Sequence, residues 1–267
     1  MERAILFFDI DGTIVSEDGR RFIPESAVKA INKARENGHI TVINTGRTYL
    51  TVEKHIKELG FSGFICGCGT NILLGDKVLL RHKNEKALCL KVRDTLESLS
   101  IPAIYESAEC LGFNADTYIH PELREMLTYF GFKGLMIEEA HEEDFYFDKF
   151  FCWANDDENF EPLCEMLSEH FKIILRGDSP GIRRIEVVPK GYTKATGMKL
   201  MLDTLGIDHK NSYAFGDSTN DLPMLEYAAH SAAMGGCPEI LKDKVEFVTD
   251  GLYEDGLAKA IERFGLI

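Results

Sequence analysis

The sequence predicts an α/β fold, in which a mainly parallel sheet carries helices on both faces and a second α/β unit is inserted into the chain. Short apolar runs alternate with helical patterns near both ends of the sequence. These runs end in polar or glycine-rich loops, as strands of buried parallel sheets do. The middle of the chain has a different order of strands and helices, which indicates a separate unit.

The outer parts of the chain supply the elements of the parallel sheet. Strands are expected at 4–8, 40–43, 64–66, 212–215, 232–234 and 246–248. Helices are expected at 24–37, 48–59, 194–205, 221–228, 238–242 and 255–264. Ligands of such sheets bind beyond the carboxyl ends of the strands, so chemistry is expected directly after the apolar runs.

The middle of the chain forms the inserted unit. Strands are expected there at 102–106, 110–114, 134–138, 147–154, 172–176 and 182–188. Helices are expected at 84–99, 121–130 and 158–170. The predicted domains are a core of residues 1–81 and 187–267 and an inserted domain of residues 82–186.

Charge and hydropathy exclude several classes of protein. The chain has 267 residues and a formal net charge of −14, which repels nucleic acid and anionic lipid, so neither is expected as a main partner. No apolar run approaches the roughly 20 residues that cross a bilayer, and the first residues lack a signal-peptide pattern. We expect a cytoplasmic protein. A small phosphorylated substrate is compatible with this charge if a local positive site or a bound cation offsets it.

The cysteines predict buried thiols in a reducing compartment. Their number, seven, is odd, and most have apolar neighbours. Cys66-Gly67-Cys68 has no second close pair of cysteines or histidines beside it, so it does not match a zinc site.

The strongest signal is Phe8-Asp9-Ile10-Asp11-Gly12-Thr13, where a buried strand ends in two carboxylates. Gathering like charges there is costly unless a cation or hydrogen bonds compensate. Mg²⁺ is a natural compensator because it prefers carboxylate, carbonyl and water oxygens. An Asp-Gly turn after a strand is the alternative for this motif taken alone.

A second polar segment, Thr45-Gly46-Arg47, follows the next apolar run. Its hydroxyl, backbone N–H groups and guanidinium offer contacts for phosphate oxygens. A helix-capping threonine explains the segment equally well.

A third acidic loop, which runs from Gly216 to Asp221, follows the strand at 212–215. Asp217 and Asp221 are four residues apart around a turn, a spacing that suits a direct metal ligand and a residue that supports it. An N-cap role is the alternative for Asp221. Lys194 begins the predicted helix 194–205 and either points a positive charge at this site or lies exposed on the helix.

Together and in this order, these motifs resemble those of the haloacid dehalogenase-like phosphatases, specifically the Cof-type branch, subfamily IIB, with its large α/β cap. The matching residues are Asp9-x-Asp11-Gly-Thr, Thr45-Gly-Arg, Lys194 and Gly216-Asp217-x-x-Asn220-Asp221, with a further match at Asp255-Gly256-Leu257. The resemblance implies a Rossmann-like core and a C2-type cap, residues 82–186, that selects the substrate.

The resemblance implies a Mg²⁺-dependent phosphatase for small phosphate monoesters, with sugar phosphates as the expected substrates. Asp9 would form an aspartyl-phosphate, and Asp11 would act as general acid and base. The metal ligands would be Asp9, Asp217 and the backbone carbonyl of Asp11, with Asp221 supporting them. The residues expected to hold or orient the phosphoryl group are Thr45, Gly46, Arg47, Lys194 and Asn220.

Two other functions stay open on the sequence. A phosphomutase or phosphotransferase would use the same nucleophile and pass the phosphoryl group to a second hydroxyl. A non-catalytic sugar-phosphate sensor would be expected to lack a motif residue, and none is missing. A large cap favours a monomer, with a dimer as the alternative.

Overall fold

The computed structural model describes residues 2–114, 120–132, 134, 137–139, 145–155, 157–179 and 181–267. The chain forms two compact units. Unit 1 consists of Met1–Gly46, Glu53–Leu80 and Thr193–Ile267. Unit 2 consists of Arg47–Val52 and Arg81–Tyr192. That unit 2 selects the substrate stays a prediction.

The described residues form strands and helices throughout both units. The strands are β1 (Ile5–Phe8), β2 (Ile40–Asn44), β3 (Gly63–Cys66), β4 (Asn71–Leu74), β5 (Lys77–Arg81), β6 (Ala103–Glu106), β7 (Leu111–Phe113), β8 (Ile137–Glu139), β9 (Lys149–Asn155), β10 (Phe171–Ser179), β11 (Ile182–Pro189), β12 (Ser212–Gly216), β13 (His230–Ala233) and β14 (Phe247–Val248). The helices are α1 (Glu25–Glu36), α2 (Lys54–Lys57), α3 (Lys86–Ser98), α4 (Pro121–Phe132), α5 (Phe160–Ser168), α6 (Lys194–Leu205), α7 (Leu222–Tyr227), α8 (Glu239–Lys242) and α9 (Gly256–Arg263).

The sheet of unit 1 has the order β14-β13-β12-β1-β2-β3-β4-β5. Strand β1 is parallel to both neighbours, β2 and β12, and every residue of β1, β2 and β3 is buried. Strand β4 is antiparallel to β3. Phe8 pairs in register with Phe215, so the residues that follow β1 and β12 emerge side by side.

Both faces of β1 are covered, because successive side chains of a strand point to opposite faces. Ile5 and Phe7 belong to a core cluster that includes Met198 of α6. On the other face Phe8 stacks on Phe215 with ring centroids 5.0 Å apart, and Phe215 packs against Phe264, at the end of α9, with centroids 5.9 Å apart. This arrangement confirms the predicted α/β sheet with helices on both faces.

The sheet of unit 2 has the order β10-β11-β9-β6-β7-β8 and is antiparallel except for the pair β7 and β8. Tyr105 and Phe150 on one face pack with apolar residues of α3 and α5. Ile104 and Trp153 on the other face pack with Leu123 of α4. Unit 2 therefore has its own apolar core on each face of its sheet.

A buried ion-pair network lies on the same sheet. The Lys149 ammonium lies 2.6 Å from a Glu186 carboxylate oxygen and 3.2 Å from one of Glu106. Arg176 Nε donates to Glu186 Oε2 at 2.7 Å. Burial alone raises the pKa of Glu186, but the Lys149 and Arg176 charges outweigh it and lower this pKa to about 2.

Most predicted elements lie within a few residues of the observed ones. Helix α6 has the predicted bounds, 194–205, and strands β2 and β12 begin at the predicted residues, 40 and 212. The predicted strand 134–138 falls partly on residues 135 and 136, which lie outside the described residues. The structure has β8 at 137–139.

The single helix predicted at 48–59 is wrong. A 3₁₀ turn at Tyr49–Thr51 and the short helix α2 are separated by Val52 and Glu53, whose ψ angles of 124° and 146° are extended. Residues 47–52 belong to unit 2, where Leu50 packs against the apolar cluster that includes Trp153, whereas α2 belongs to unit 1. The helical pattern therefore combined two segments that pack against different cores.

The hairpin of β4 and β5 was not predicted, although its signal is present. Two apolar stretches flank Gly75-Asp76, a typical turn sequence, and Gly75 has a positive φ of 55°. The prediction of mostly buried thiols is confirmed: all the cysteines are free, and five of the seven are buried. Within the described parts of the chain, no helix has the length and apolar character of a membrane span.

Candidate active site

The candidate site forms where β1 and β12 end. Asp9 follows β1, and its backbone N–H donates to the carbonyl of Phe215 at 3.0 Å. Gly12 has a φ of 73°, and a Cβ there would lie 2.3 Å from Oδ2 of Asp217. Glycine is therefore required at position 12, because any side chain would push the Asp217 carboxylate away.

Three carboxylates gather at this point. Asp9, Asp217 and Asp221 each offer an oxygen, and these oxygens all lie within 4.8 Å of one another. Thr13 Oγ1 donates to Asp217 Oδ1 at 3.0 Å and orients that carboxylate. Like charges this close repel unless a cation compensates, and hard oxygen donors suit a divalent ion such as Mg²⁺. The residues present therefore fit a metal.

Lys194 supplies a positive charge inside this cluster. Its ammonium lies 2.6 Å from Asp9 Oδ1, also donates to Asp221 Oδ1, and is almost completely buried. Asp221 Oδ2 accepts from the backbone N–H groups of Asp217 at 2.9 Å and Ser218 at 3.0 Å. Asp221 therefore ties the loop after β12 to the lysine.

The pKa values in the cluster are shifted because three carboxylates share a single ammonium group, that of Lys194. Burial and the Asp221 carboxylate raise the pKa of Asp9 to about 7, although Lys194 opposes the shift. Burial and the nearby Asp9 and Asp221 raise the pKa of Asp217 to about 8. The pKa of Lys194 is raised: its burial acts in the opposite direction, but the carboxylates of Asp221 and Asp9 outweigh it. The cluster therefore has a deficit of positive charge that a bound cation would fill.

The start of α6 fixes Lys194. The Thr193 hydroxyl caps the helix by accepting from the Thr196 N–H at 3.1 Å, and the Thr196 hydroxyl accepts from the Thr193 N–H at 2.9 Å. Asn44 Nδ2, at the end of β2, donates to the carbonyl of Lys194 at 3.1 Å. A Cβ on Gly69 would lie 2.5 Å from the Thr193 carbonyl, so the loop after β3 packs directly behind the cap. The helix cap, the end of β2 and the loop after β3 thus hold the lysine in place.

Thr45 lies directly after β2 and is buried. Its N–H donates to the carbonyl of Ile65 at 2.8 Å, and its own carbonyl accepts from the Cys68 N–H at 3.1 Å. Gly46 follows it as the last residue of that segment of unit 1. The carboxyl ends of β2 and β3 therefore meet at Thr45.

The structure places Arg47 in unit 2 and Asn220 in the loop after β12. Arg47 Nη1 donates to the carbonyl of Thr51 at 3.3 Å, and the guanidinium charge lowers the pKa of Glu106, which burial raises overall. Asn220 Oδ1 accepts from the Ser218 hydroxyl at 2.6 Å. The phosphate-binding roles of both residues stay predictions.

The Asp11 side chain contacts Arg21, a residue that the sequence did not indicate. Its Oδ1 accepts from Arg21 Nη1 at 2.5 Å, and Arg21 in turn pairs with Glu53 at 2.8 Å. No motif marks Arg21, because its approach to Asp11 depends on the conformation of the loop after β1. Thr13 was also missed as a support for Asp217, although it belongs to the first motif.

Comparison with known proteins decides the family. The sequence model of the haloacid dehalogenase-like hydrolases matches residues 6–261. The chain is a haloacid dehalogenase-like hydrolase. YkrA of Bacillus subtilis (strain 168), provisionally named a phosphatase, is 27% identical over 274 residues that cover 100% of both chains.

Further comparisons place this hydrolase among the phosphatases. The 5-amino-6-(5-phospho-D-ribitylamino)uracil phosphatase YcsE of Bacillus subtilis (strain 168) is 27% identical over 263 residues, 98% of this chain and 96% of YcsE. The structure of the subclass IIB sugar phosphatase BT4131 superposes with a TM-score of 0.82 and 26% identity over 99% of this chain and 100% of that one. The predicted subfamily and the prediction of a phosphatase are confirmed.

Proposed function

We propose that this phosphatase hydrolyses small phosphate monoesters, sugar or sugar-alcohol phosphates above all, through an aspartyl-phosphate on Asp9. The observation that supports it most is the convergence of Asp9, Asp217, Asp221 and Lys194 from three separate segments of the chain. Such a site offers a nucleophile, a fixed positive charge and a donor set for a divalent ion.

The proposed reaction has two steps. In the first, a carboxylate oxygen of Asp9 bonds to phosphorus while the bond to the leaving oxygen breaks, and Asp11 gives that oxygen a proton. In the second, water attacks phosphorus, Asp11 takes the proton from the water, and the bond between Asp9 and phosphorus breaks. The enzyme is restored and inorganic phosphate is released.

The surrounding residues have supporting roles in this proposal. Lys194, beside Asp9 at 2.6 Å, favours the ionised nucleophile and neutralises charge on the transferring group. The buried Thr45 and the N–H groups near it are candidates for holding phosphoryl oxygens, as are Gly46, Arg47 and Asn220. Asp221 fixes the lysine and the loop after β12.

Asp9 and Asp217, with the backbone carbonyl of Asp11, would hold Mg²⁺. When bound, the ion offsets the repulsion between an anionic nucleophile and a dianionic ester. The three clustered carboxylates and the raised pKa values of Asp9 and Asp217 support this assignment, because both indicate missing positive charge.

The substrate class is proposed from two relatives. YcsE is named for a phosphorylated ribityl compound, and BT4131 is described as a sugar phosphatase. We extend the proposal to unit 2 as the cap that selects the leaving group. A screen of phosphorylated metabolites ranked by kcat/KM tests the substrate class, and a preference for nucleotides or phosphopeptides would contradict it.

The Asp9→Asn variant tests the nucleophile. We expect turnover of p-nitrophenyl phosphate to fall by about three orders of magnitude or more, with the fold intact by circular dichroism. Asp203→Asn, an exposed change on α6, is the matched control and should keep normal activity. Near-normal activity of Asp9→Asn would rule out Asp9 as the nucleophile. Full activity in excess EDTA would rule out the metal.

A phosphotransferase would use the same first step and differ in the acceptor. Measuring released inorganic phosphate against a phosphorylated second product, with a bisphosphate primer present, separates the two. Hydrolysis predicts one equivalent of inorganic phosphate for each ester consumed.

A further inference from the structure

The loop that follows β1 returns a guanidinium to the site. Backbone and side-chain bonds between Ser16 and Phe22 close this loop: Ser16 N–H donates to the Phe22 carbonyl at 2.9 Å, and Phe22 N–H donates to Ser16 Oγ at 2.8 Å. Arg21 lies just inside this closure, and its Nη1 reaches Asp11 Oδ1 at 2.5 Å. The loop thus delivers a fixed charge to the proposed acid and base.

Arg21 is itself held from behind. Its Nε donates to Glu53 Oε1 at 2.9 Å, and its Nη2 lies 2.8 Å from the same oxygen. The Glu53 side chain is only 5% exposed and precedes α2, so its carboxylate has a fixed position. A planar guanidinium clamped on one edge can present its remaining N–H groups in a defined direction.

The backbone at Arg21 has an unusual conformation. Its φ is 51°, in the left-handed region that residues other than glycine rarely adopt. Such conformations persist where the surrounding structure enforces them, and they are concentrated at functional sites. Here the enforced turn is what aims the side chain at Asp11 and Glu53 together.

We propose that Arg21, anchored by Glu53, is a positioning residue that fixes the Asp11 carboxyl group for proton transfer to the leaving oxygen, a role that rests on the function proposed above. An aspartate side chain turns about two bonds, and proton transfer needs a defined hydrogen-bond distance. The hydrogen bond that Asp11 Oδ1 accepts from Arg21 removes that freedom, and it can form whether Asp11 is protonated or ionised. Arg21 neither bonds to phosphorus nor donates the proton, because a guanidinium stays protonated in proteins.

A series of substituted phenyl phosphates tests this role, with Arg21→Ala compared to the unchanged enzyme. The p-nitrophenolate leaving group is a weak base and needs little protonation, whereas phenolate is a much stronger base. We expect kcat/KM for phenyl phosphate to fall by about tenfold or more, which is part of the rate enhancement that a general acid usually supplies. We expect kcat/KM for p-nitrophenyl phosphate to change by less than about threefold. The dependence of log kcat/KM on leaving-group pKa should become steeper.

Three further variants complete the design. Arg20→Ala removes the neighbouring arginine, which is exposed and pairs with Asp18, and should leave both esters unaffected. Arg21→Lys keeps a charge near Asp11 and should recover part of the loss on phenyl phosphate. Glu53→Gln weakens the anchor and should give a smaller loss with the same dependence on the leaving group.

Equal losses on both esters in Arg21→Ala would show a structural role and overturn the inference, and so would full activity on phenyl phosphate. Failure of the proposed function looks different, because the unchanged enzyme would then release no phosphate from either ester. Thermal unfolding of each variant identifies any that fails to fold, in which case Glu53→Gln carries the test.

Discussion

Removing the buried charge of Lys194 should destabilise unit 1 strongly. In Lys194→Met the chain keeps a side chain of similar length but leaves Asp9 and Asp221 without their ammonium. Unit charges 2.6 Å apart attract by about 6 kcal/mol at an effective dielectric constant of about 20. The cost of removing the buried ammonium from water offsets part of this attraction. Removing one partner of a buried pair costs about 3–5 kcal/mol, and we expect about 3 kcal/mol because Asp9 can take up a proton.

The assay is urea unfolding in EDTA, so that no metal replaces the missing charge. Circular dichroism is the suitable probe, because the single tryptophan, Trp153, lies in unit 2. The loss should be larger at pH 8.5 than at pH 6, since protonation relieves the uncompensated carboxylates at the lower pH. Lys199→Met is the matched control: it lies on the same helix, and its pair with Asp203 is exposed, so no measurable loss is expected.

Two results would refute this reasoning. If Lys194→Met and Lys199→Met unfold at the same urea concentration, the buried pair does not contribute as its geometry indicates. If the loss at pH 6 exceeds that at pH 8.5, the cause is not the uncompensated carboxylates.

Three further predictions concern unit 2, metal binding and the stability of the metal-free protein. Lys149→Met should destabilise unit 2 by about 3–5 kcal/mol, because Glu186 and Glu106 lose their shared counter-charge; Trp153 fluorescence in urea measures this, and an unchanged midpoint would contradict it. Mg²⁺ should bind more tightly as pH rises from 6 to 8.5, with release of protons measurable by calorimetry. The pKa of Asp9 is raised to about 7 and that of Asp217 to about 8, so protons compete with the ion below those values. The same shifts mean that the metal-free protein should lose stability as pH rises over that range, because its folded state holds protons that the unfolded chain has released. An affinity for Mg²⁺ that does not change with pH would contradict the raised pKa values of Asp9 and Asp217, on which both the binding and the stability predictions depend.

Local patterns were sufficient for much of the fold. Buried strands such as β1 and β12 appear as short apolar runs because parallel strands covered on both faces need apolar side chains throughout. The bounds of α6 were predictable because Thr193 caps its first residue and Gly206, with a φ of 63°, ends it. Two carboxylates two residues apart at the end of a strand also predicted a site centred on Asp9.

Other features depended on contacts between residues far apart in sequence. The break between Thr51 and α2 arises because the chain passes from one unit to the other. The hydrophobic pattern of this segment gives no signal of that change. The pairing of Arg21 with Asp11 and Glu53 depends on the left-handed conformation of one residue in a loop.

The sequence by itself determined the family, through its match to known members, and the α/β class. It also predicted the acidic residues of the candidate site, because that prediction needs only residue types and local spacing. The tertiary structure alone decided that Lys194 pairs with both Asp9 and Asp221, how far the pKa values of Asp9 and Asp217 rise, and that Arg21 contacts Asp11. Electrostatic interactions and burial depend on distances through space, and those distances are set only when separate segments pack together.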